Sequence, residues 1–205
     1  MVKIIGICGS PRKKSSYKAL SEALRAAEEQ GGVETELIEL RGKDMRPCVH
    51  CNKCLRDDAD RCTVFTDDMT ALYDKFYEAD GVIIMSPVYD MNITPQLATF
   101  FSRFRSAWKI SAKDKYFFMK KVGAAMSVGG TRNGGQESVI SCITNFYNTH
   151  GMTVCNGGGE VYSGVSCWSP GDDSTEMHDE EGMKNAAVLG EKVAVMSKIM
   201  KNAHI

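Results

Sequence analysis

Three short apolar runs recur along the chain: Val2–Cys8 (VKIIGIC), Gly81–Ser86 (GVIIMS) and Val122–Val128 (VGAAMSV). Each is continuous and brief, the pattern of a strand buried on both faces. Each gives way to a polar or glycine-rich loop, and each loop leads into apolar positions at helical spacing. After the first loop, Gly9 to Tyr17, the spacing of Ala19, Leu20, Ala23, Leu24 and Ala27 predicts a helix that Gly31-Gly32 stops. After the second, Thr94-Pro95 supplies an N-cap and a first helical residue, and Leu97, Phe100, Phe101, Phe104 and Trp108 form one apolar stripe. After the third, a helix is predicted from Gln136 and Glu137. Val33–Leu40 alternates apolar and acidic residues, as an edge strand does. Thr66 is predicted to cap a further helix with Asp67 and Asp68 in its first turn and Met69, Leu72, Tyr73 and Phe76 inward. A last strand near Met152–Cys155 and a long helix from about Asp179 close the chain. Strands alternate with helices throughout, so the expected fold is α/β: a doubly wound, five-stranded parallel sheet with helices on both faces. Residues 1–205 read as one domain, with a cysteine-rich loop, 47–63, inserted.

Composition narrows the function. Net charge is −1, so neither nucleic acid nor an anionic membrane is an implied partner. No apolar run approaches the ~20 residues a membrane-spanning helix needs, and nothing resembles a secretory signal. A cytoplasmic protein is expected. The acidic cluster Asp172, Asp173, Glu176, Asp179, Glu180 and Glu181 reads as a solvated loop and helix start.

Four of the eight cysteines change the picture. Cys48, Cys51, Cys54 and Cys62 fall in PCVHCNKCLRDDADRCT with the spacing C-x2-C-x2-C-x7-C. Two residues between cysteines let the chain curl so that successive sulfurs converge, which suits ligands on neighbouring corners of a 4Fe-4S cluster. Zinc is the alternative, since four thiolates also suit a tetrahedral ion. Zinc ribbons, however, usually offer two separate C-x2-C pairs, whereas here the middle cysteine would belong to both. Arg56, Asp57, Asp58, Asp60 and Arg61 make the long arm a solvated loop. Cys8, Cys142, Cys155 and Cys167 read as small apolar core residues.

In a parallel sheet ligands sit beyond the carboxyl ends of the strands. Three loops meet there: Gly9–Tyr17, Pro87–Asn92 and Ser127–Gly135. The first joins a strand to a helix N-terminus, where free N–H groups and the helix dipole attract an anion. Arg12 adds a guanidinium fork for phosphate, and Ser10, Ser15 and Ser16 add hydroxyls. Tyr89 offers a surface to an aromatic ring, and Gly129 and Gly130 allow close backbone approach. Neither a Walker pattern nor G-x-G-x-x-G is present. The combination describes a pocket for a phosphorylated planar cofactor, FMN rather than a nucleoside triphosphate.

GSPR at Gly9–Arg12, SPVY at Ser86–Tyr89, GG…GGQE at Gly129–Glu137 and the compact cysteine run together resemble the iron–sulfur flavoproteins, a branch of the flavodoxin-like NADPH-dependent FMN reductases. The resemblance runs along nearly the whole chain. It implies a phosphate grip from Ser10, Arg12, Ser16 and Tyr17. It also implies an isoalloxazine platform from Pro87, Val88, Tyr89, Asp90, Met91 and Asn92, and a closing turn at Gly129-Gly130 beside Ser127. It implies a homodimer or homotetramer with the flavin near a subunit interface, and a small redox partner such as ferredoxin or NAD(P)H. Two departures stand out: Ser16-Tyr17 replaces a frequent Asn-Thr, and Asp90-Met91 follows Tyr89 where an aromatic-glycine pair is usual. The expected function is electron transfer between FMN and the cluster, coupling two-electron to one-electron carriers. The alternatives are an NAD(P)H-dependent FMN or quinone reductase and a zinc-stapled redox sensor. No catalytic acid or base is expected.

Overall fold

The structure is a computed structural model that describes residues 1–156, 158–170 and 177–203. In chain order the elements are β1 (Val2–Cys8), α1 (Ser15–Glu29), β2 (Val33–Glu39), α2 (Lys53–Arg56), α3 (Met69–Glu78) and β3 (Gly81–Pro87). There follow α4 (Pro95–Ser102), a 3-10 turn (Arg103–Ser106), α5 (Ala107–Lys113), β4 (Val122–Gly129), α6 (Gln136–His150), β5 (Thr153–Val154), β6 (Val165–Trp168) and α7 (Glu180–Asn202).

All pairings between named strands are parallel, in the order β2-β1-β3-β4-β5, the flavodoxin-like winding. The continuous apolar runs are explained by burial on two sides. Ile5, Ile7, Val82, Ile84 and Ala125 face α3, α4 and α6, while Ile4, Cys8, Ile83, Met85, Ala124 and Met126 face α1 and α7. The small residues of β4 do admit a helix closely: a Cβ at Gly123 would stand 2.7 Å from the ring of Tyr147 on α6. That tyrosine is fully buried, and its hydroxyl lies 3.1 Å from the Val82 carbonyl and 2.9 Å from that of Ala124.

The fifth lane differs from expectation. β5 pairs only with Val122 and Gly123, the chain leaves the sheet, and β6 re-enters to pair with Met126–Gly129. VSCW is too short to signal a strand by itself, and Gly164 (φ 152°) marks the re-entry. Four other expectations are corrected. Helix α1 starts at Ser15, so Ser15 and Ser16 belong to its first turn rather than to a preceding loop. Thr66 caps nothing: α3 begins at Met69, and Asp67 is drawn instead into an ion pair with Arg103. The stripe predicted to continue to Trp108 breaks at Ser102, where the chain tightens into the 3-10 turn and leaves Trp108 65% exposed. Asp179 is buried rather than solvated; it accepts from the Gly182 and Trp168 N–H groups and so fixes the start of α7 against β6. Glu180 and Glu181 are exposed, whereas Asp172, Asp173 and Glu176 lie outside the described residues. No helix among the described residues is long and apolar enough to cross a membrane.

Candidate functional site: a phosphate-ready cavity and a thiol pocket

At the carboxyl end of the sheet the register brings the three loops together. The Gly9 N–H donates to the Met85 carbonyl (2.8 Å), the Val88 N–H to Val128 (2.9 Å) and the Ser169 N–H to Gly129 (2.9 Å). The result is a cavity of about 180 Å³ bordered by Ser10, Arg12, Ser15, Ser16, Pro87, Val88, Tyr89, Gly129 and Gly130. No side chain caps α1, so its first-turn N–H groups keep their capacity for an acceptor in the cavity. The Ser10 hydroxyl accepts from the Arg12 N–H (3.1 Å) and donates to the Arg12 carbonyl (2.7 Å), which folds this loop over the helix end. A Cβ at Gly130 would meet nothing within 4 Å, so this side of the cavity is open backbone.

Five expected residues lie elsewhere. Tyr17 is the third residue of α1; its ring sits under the Lys13 ammonium (4.5 Å) and packs on the α1–α7 core. Asp90 and Met91 occupy the two left-handed positions (φ 46° and 64°) of a tight hairpin that Tyr89 and Asn92 close with paired backbone bonds of 2.8 Å. Asp90 is exposed. Met91 instead lies over Gly135 of the glycine loop, and Ser127 is buried within β4. The cavity is also bordered by Pro11, Lys14 and Val128, which belong to the expected loops without having been singled out, and by Ser169 and Pro170, which lie outside them. The last two arrive through β6, whose four residues, VSCW, carry no strand signal of their own.

Gln136 holds the glycine loop. This residue, 3% exposed, accepts from the Gly134 N–H (2.8 Å) and donates to the carbonyls of Thr131 (2.6 Å) and Cys167 (3.0 Å). The loop, α6 and β6 are thereby tied at one side chain.

The four cysteines gather at a second place. Cys48, Cys51, Cys54 and Cys62 line one pocket with Asn52, Phe65, Arg103 and Arg105. Left-handed backbone at His50 (φ 53°) and Asn52 (φ 58°) winds the C-x2-C-x2-C segment, and the His50 N–H approaches the Cys48 sulfur at 3.4 Å. Burial raises the Cys54 thiol pKa and the Leu55 N–H lowers it, while the other three cysteines raise it further. Four thiolates this close repel one another, a cost that a bound cation or cluster relieves. Among the described residues no group of three or more His, Cys, Asp or Glu residues forms a ready site for one ion. The thiols ring a cavity instead.

The loop is held more firmly than a solvated arm. Cys48 N–H donates to the Ser102 hydroxyl (3.1 Å), Arg105 Nε to Asn52 Oδ1 (2.7 Å) and Arg56 to the Cys51 carbonyl (2.9 Å). Asp58 pairs with Lys109 and Lys113 on α5, and Arg61 with Asp74 on α3. Such exposed pairs are screened by solvent and contribute little. The buried pair Arg103–Asp67 (2.6 Å; side chains 1% and 3% exposed) matters more, because it joins both ends of the loop. Arg103 also donates to the Arg46 carbonyl (2.8 Å), just before Cys48, and Asp67 accepts from the Arg46 N–H (3.0 Å). Burial opposes both charges, yet their mutual hydrogen bonds prevail, holding Asp67 below the usual carboxylate range and keeping Arg103 charged.

Helix α4 links the two places. At its start the Thr94 hydroxyl donates to the Gly9 carbonyl (2.7 Å) and accepts from Leu97 N–H. Its end is Ser102, which meets Cys48. Eight residues at a rise of 1.5 Å make this helix about 12 Å long.

Residues 2–163 match the model of a family described as NADPH-dependent FMN reductase. An iron–sulfur flavoprotein of Methanosarcina thermophila is 38% identical over 204 residues, covering 98% of each chain. One from Archaeoglobus fulgidus is 37% identical over 199 residues, covering 97% of this chain and 98% of that one. Among solved structures, a flavone reductase superposes with a TM-score of 0.67 at 23% identity, covering 99% of this chain; the present chain spans 65% of that one. The chain belongs to the iron–sulfur flavoproteins, a branch of the NADPH-dependent FMN reductase family.

Proposed function

We propose that the cavity holds FMN, with its phosphate at the α1 N-terminus and its ring between Pro87–Tyr89 and Gly129-Gly130. Cys48, Cys51, Cys54 and Cys62 hold a 4Fe-4S cluster. The single observation that carries this reading is that four cysteines line one pocket at the far end of α4 from the phosphate-ready cavity. When bound, the flavin exchanges two electrons and the cluster one, so the pair couples the two modes. The chain's own residues supply the rest. Arg12 and the α1 N–H groups neutralise the phosphate. Gln136 fixes the glycine loop, and the Arg103–Asp67 pair fixes the cysteine loop. The exposed Tyr89 at the cavity edge is covered by a second subunit, in a homodimer or homotetramer working in the cytoplasm. NAD(P)H or a ferredoxin serves as redox partner. The family description favours one second reading, an NAD(P)H-dependent FMN or quinone reductase in which the cysteine loop is secondary.

The test uses anaerobically purified holoprotein. NADPH or a reduced ferredoxin should bleach the flavin, and the electrons should then reach a one-electron acceptor. In a Cys51→Ala variant bleaching should persist while transfer to that acceptor collapses. Equal transfer by both proteins supports the second reading, and zinc in place of iron and sulfide contradicts the first.

A further inference from the structure

Arg103 is spent on three sides and unspent on the fourth. Its two terminal nitrogens satisfy Asp67 and the Arg46 carbonyl, and its guanidinium lies 5.3 Å from the Phe65 ring centroid. Its Nε is buried without a hydrogen-bond partner. Buried donors without an acceptor are rare, and a buried guanidinium is tolerated only when its remaining protons are satisfied. The same residue lines the pocket of the four thiols, so an acceptor bound there would meet this need. Neighbouring Arg105, also on the pocket wall, gives its Nε proton to Asn52 instead.

We infer that Arg103 donates its Nε proton to sulfur in the thiol pocket and so sets the redox poise of the bound cluster, with Asp67 moderating its charge. This rests on the cluster reading above. Reduction adds one electron to the cluster, supplied by the flavin or by the titrant, and breaks no bond. A fixed cation and N–H donor beside the sulfurs favour the more negative, reduced form. Hydrogen bonds to sulfur are among the levers that tune cluster potentials, and here the lever comes from the 3-10 turn that interrupts the helical stripe.

The experiment is a spectroelectrochemical titration of the holoprotein, comparing wild type with R103Q, R103K and D67N. Iron, sulfide and FMN are assayed in each. R103Q removes charge and donor and should lower the reduced-to-oxidised ratio at fixed potential about tenfold, or ~59 mV for one electron. R103K keeps the charge without the Nε donor and should fall by less. D67N leaves the guanidinium uncompensated and should shift the cluster upward. The flavin potential should move in none of them. Unchanged potentials in cluster-replete R103Q and D67N would overturn the inference. Shifts of the same sign in both, or loss of the cluster from all three variants, would also overturn it, because the pair would then be only a clamp on the loop. A wild type without iron and sulfide would bring down the cluster reading itself, and this inference with it.

Discussion

Gln136→Glu is isosteric and isolates what Gln136 does for the cavity. The Oε1 contact with the Gly134 N–H can persist, but the group that donates to the Thr131 and Cys167 carbonyls becomes an acceptor facing two acceptors. Two buried donated bonds account for about 2 kcal/mol, and the uncompensated buried oxygen adds roughly 1–2 kcal/mol. A total near 3.5 kcal/mol lowers the urea midpoint by about 1.4 M at a slope of ~2.5 kcal/mol/M. The glycine loop borders the cavity, so its release should also weaken FMN binding to the apoprotein by at least about tenfold, or ~1.4 kcal/mol. Gln136→Ala leaves the carbonyls without opposing them with a charge, and should cost less than the glutamate. The assays are urea unfolding followed by circular dichroism and fluorescence titration with FMN. Wild-type midpoint and wild-type flavin affinity in Gln136→Glu would refute the assignment of this side chain as the tie between loop, α6 and β6.

Three further outcomes are expected. Arg12→Ala should weaken FMN binding by about 1.5–3 kcal/mol, the range for a charged hydrogen bond, while iron and sulfide stay unchanged; undiminished affinity in an apoprotein titration would remove Arg12 from the phosphate grip. Burial among Phe104, Phe118 and Phe146 lowers His150 from 6.5 to about 4, so the unfolded chain takes up a proton that the folded chain refuses. Stability should therefore fall as pH drops from 6.5 towards 4, by up to about 3 kcal/mol, and His150→Leu should flatten that part of the profile; parallel profiles for the two proteins would count against it. A Cβ at Gly190 on α7 would overlap the backbone carbonyl oxygen of Ala23 on α1, so Gly190→Ala should cost about 3 kcal/mol or separate the two helices; an unshifted thermal midpoint would show that they do not pack so closely.

What the sequence made legible follows from how local each signal is. The double-faced strands β1, β3 and β4 announced themselves as continuous apolar runs, and the alternation of β2 placed it at the edge. The cysteine run carried its chemistry in its spacing alone. The tertiary decisions were hidden. Asp67 read as a first-turn helix residue behind a Thr66 cap, whereas its partner, 36 residues away in sequence, takes it into the interior. The hairpin after Tyr89 uses left-handed Asp90 and Met91, without the glycine that usually advertises such a turn. Ser169 and Pro170 reach the cavity only because β6 pairs beside β4, a non-local contact that four residues cannot encode by pattern.

The central claim is that one chain carries a flavin and, separately, a cluster on its four grouped cysteines. Iron and acid-labile sulfide per FMN, measured on anaerobically purified protein together with the low-temperature resonance spectrum of the reduced form, test it most directly. The wild type should carry about four irons and four sulfides per FMN, the content of one such cluster. Cys54→Ala should lose or degrade the cluster and retain FMN, because the cavity and the thiol pocket are built from different loops. Cys142→Ala, half-buried on α6 outside the pocket, should keep both. Full iron and sulfide in Cys54→Ala, or stoichiometric zinc in the wild type, would contradict the account.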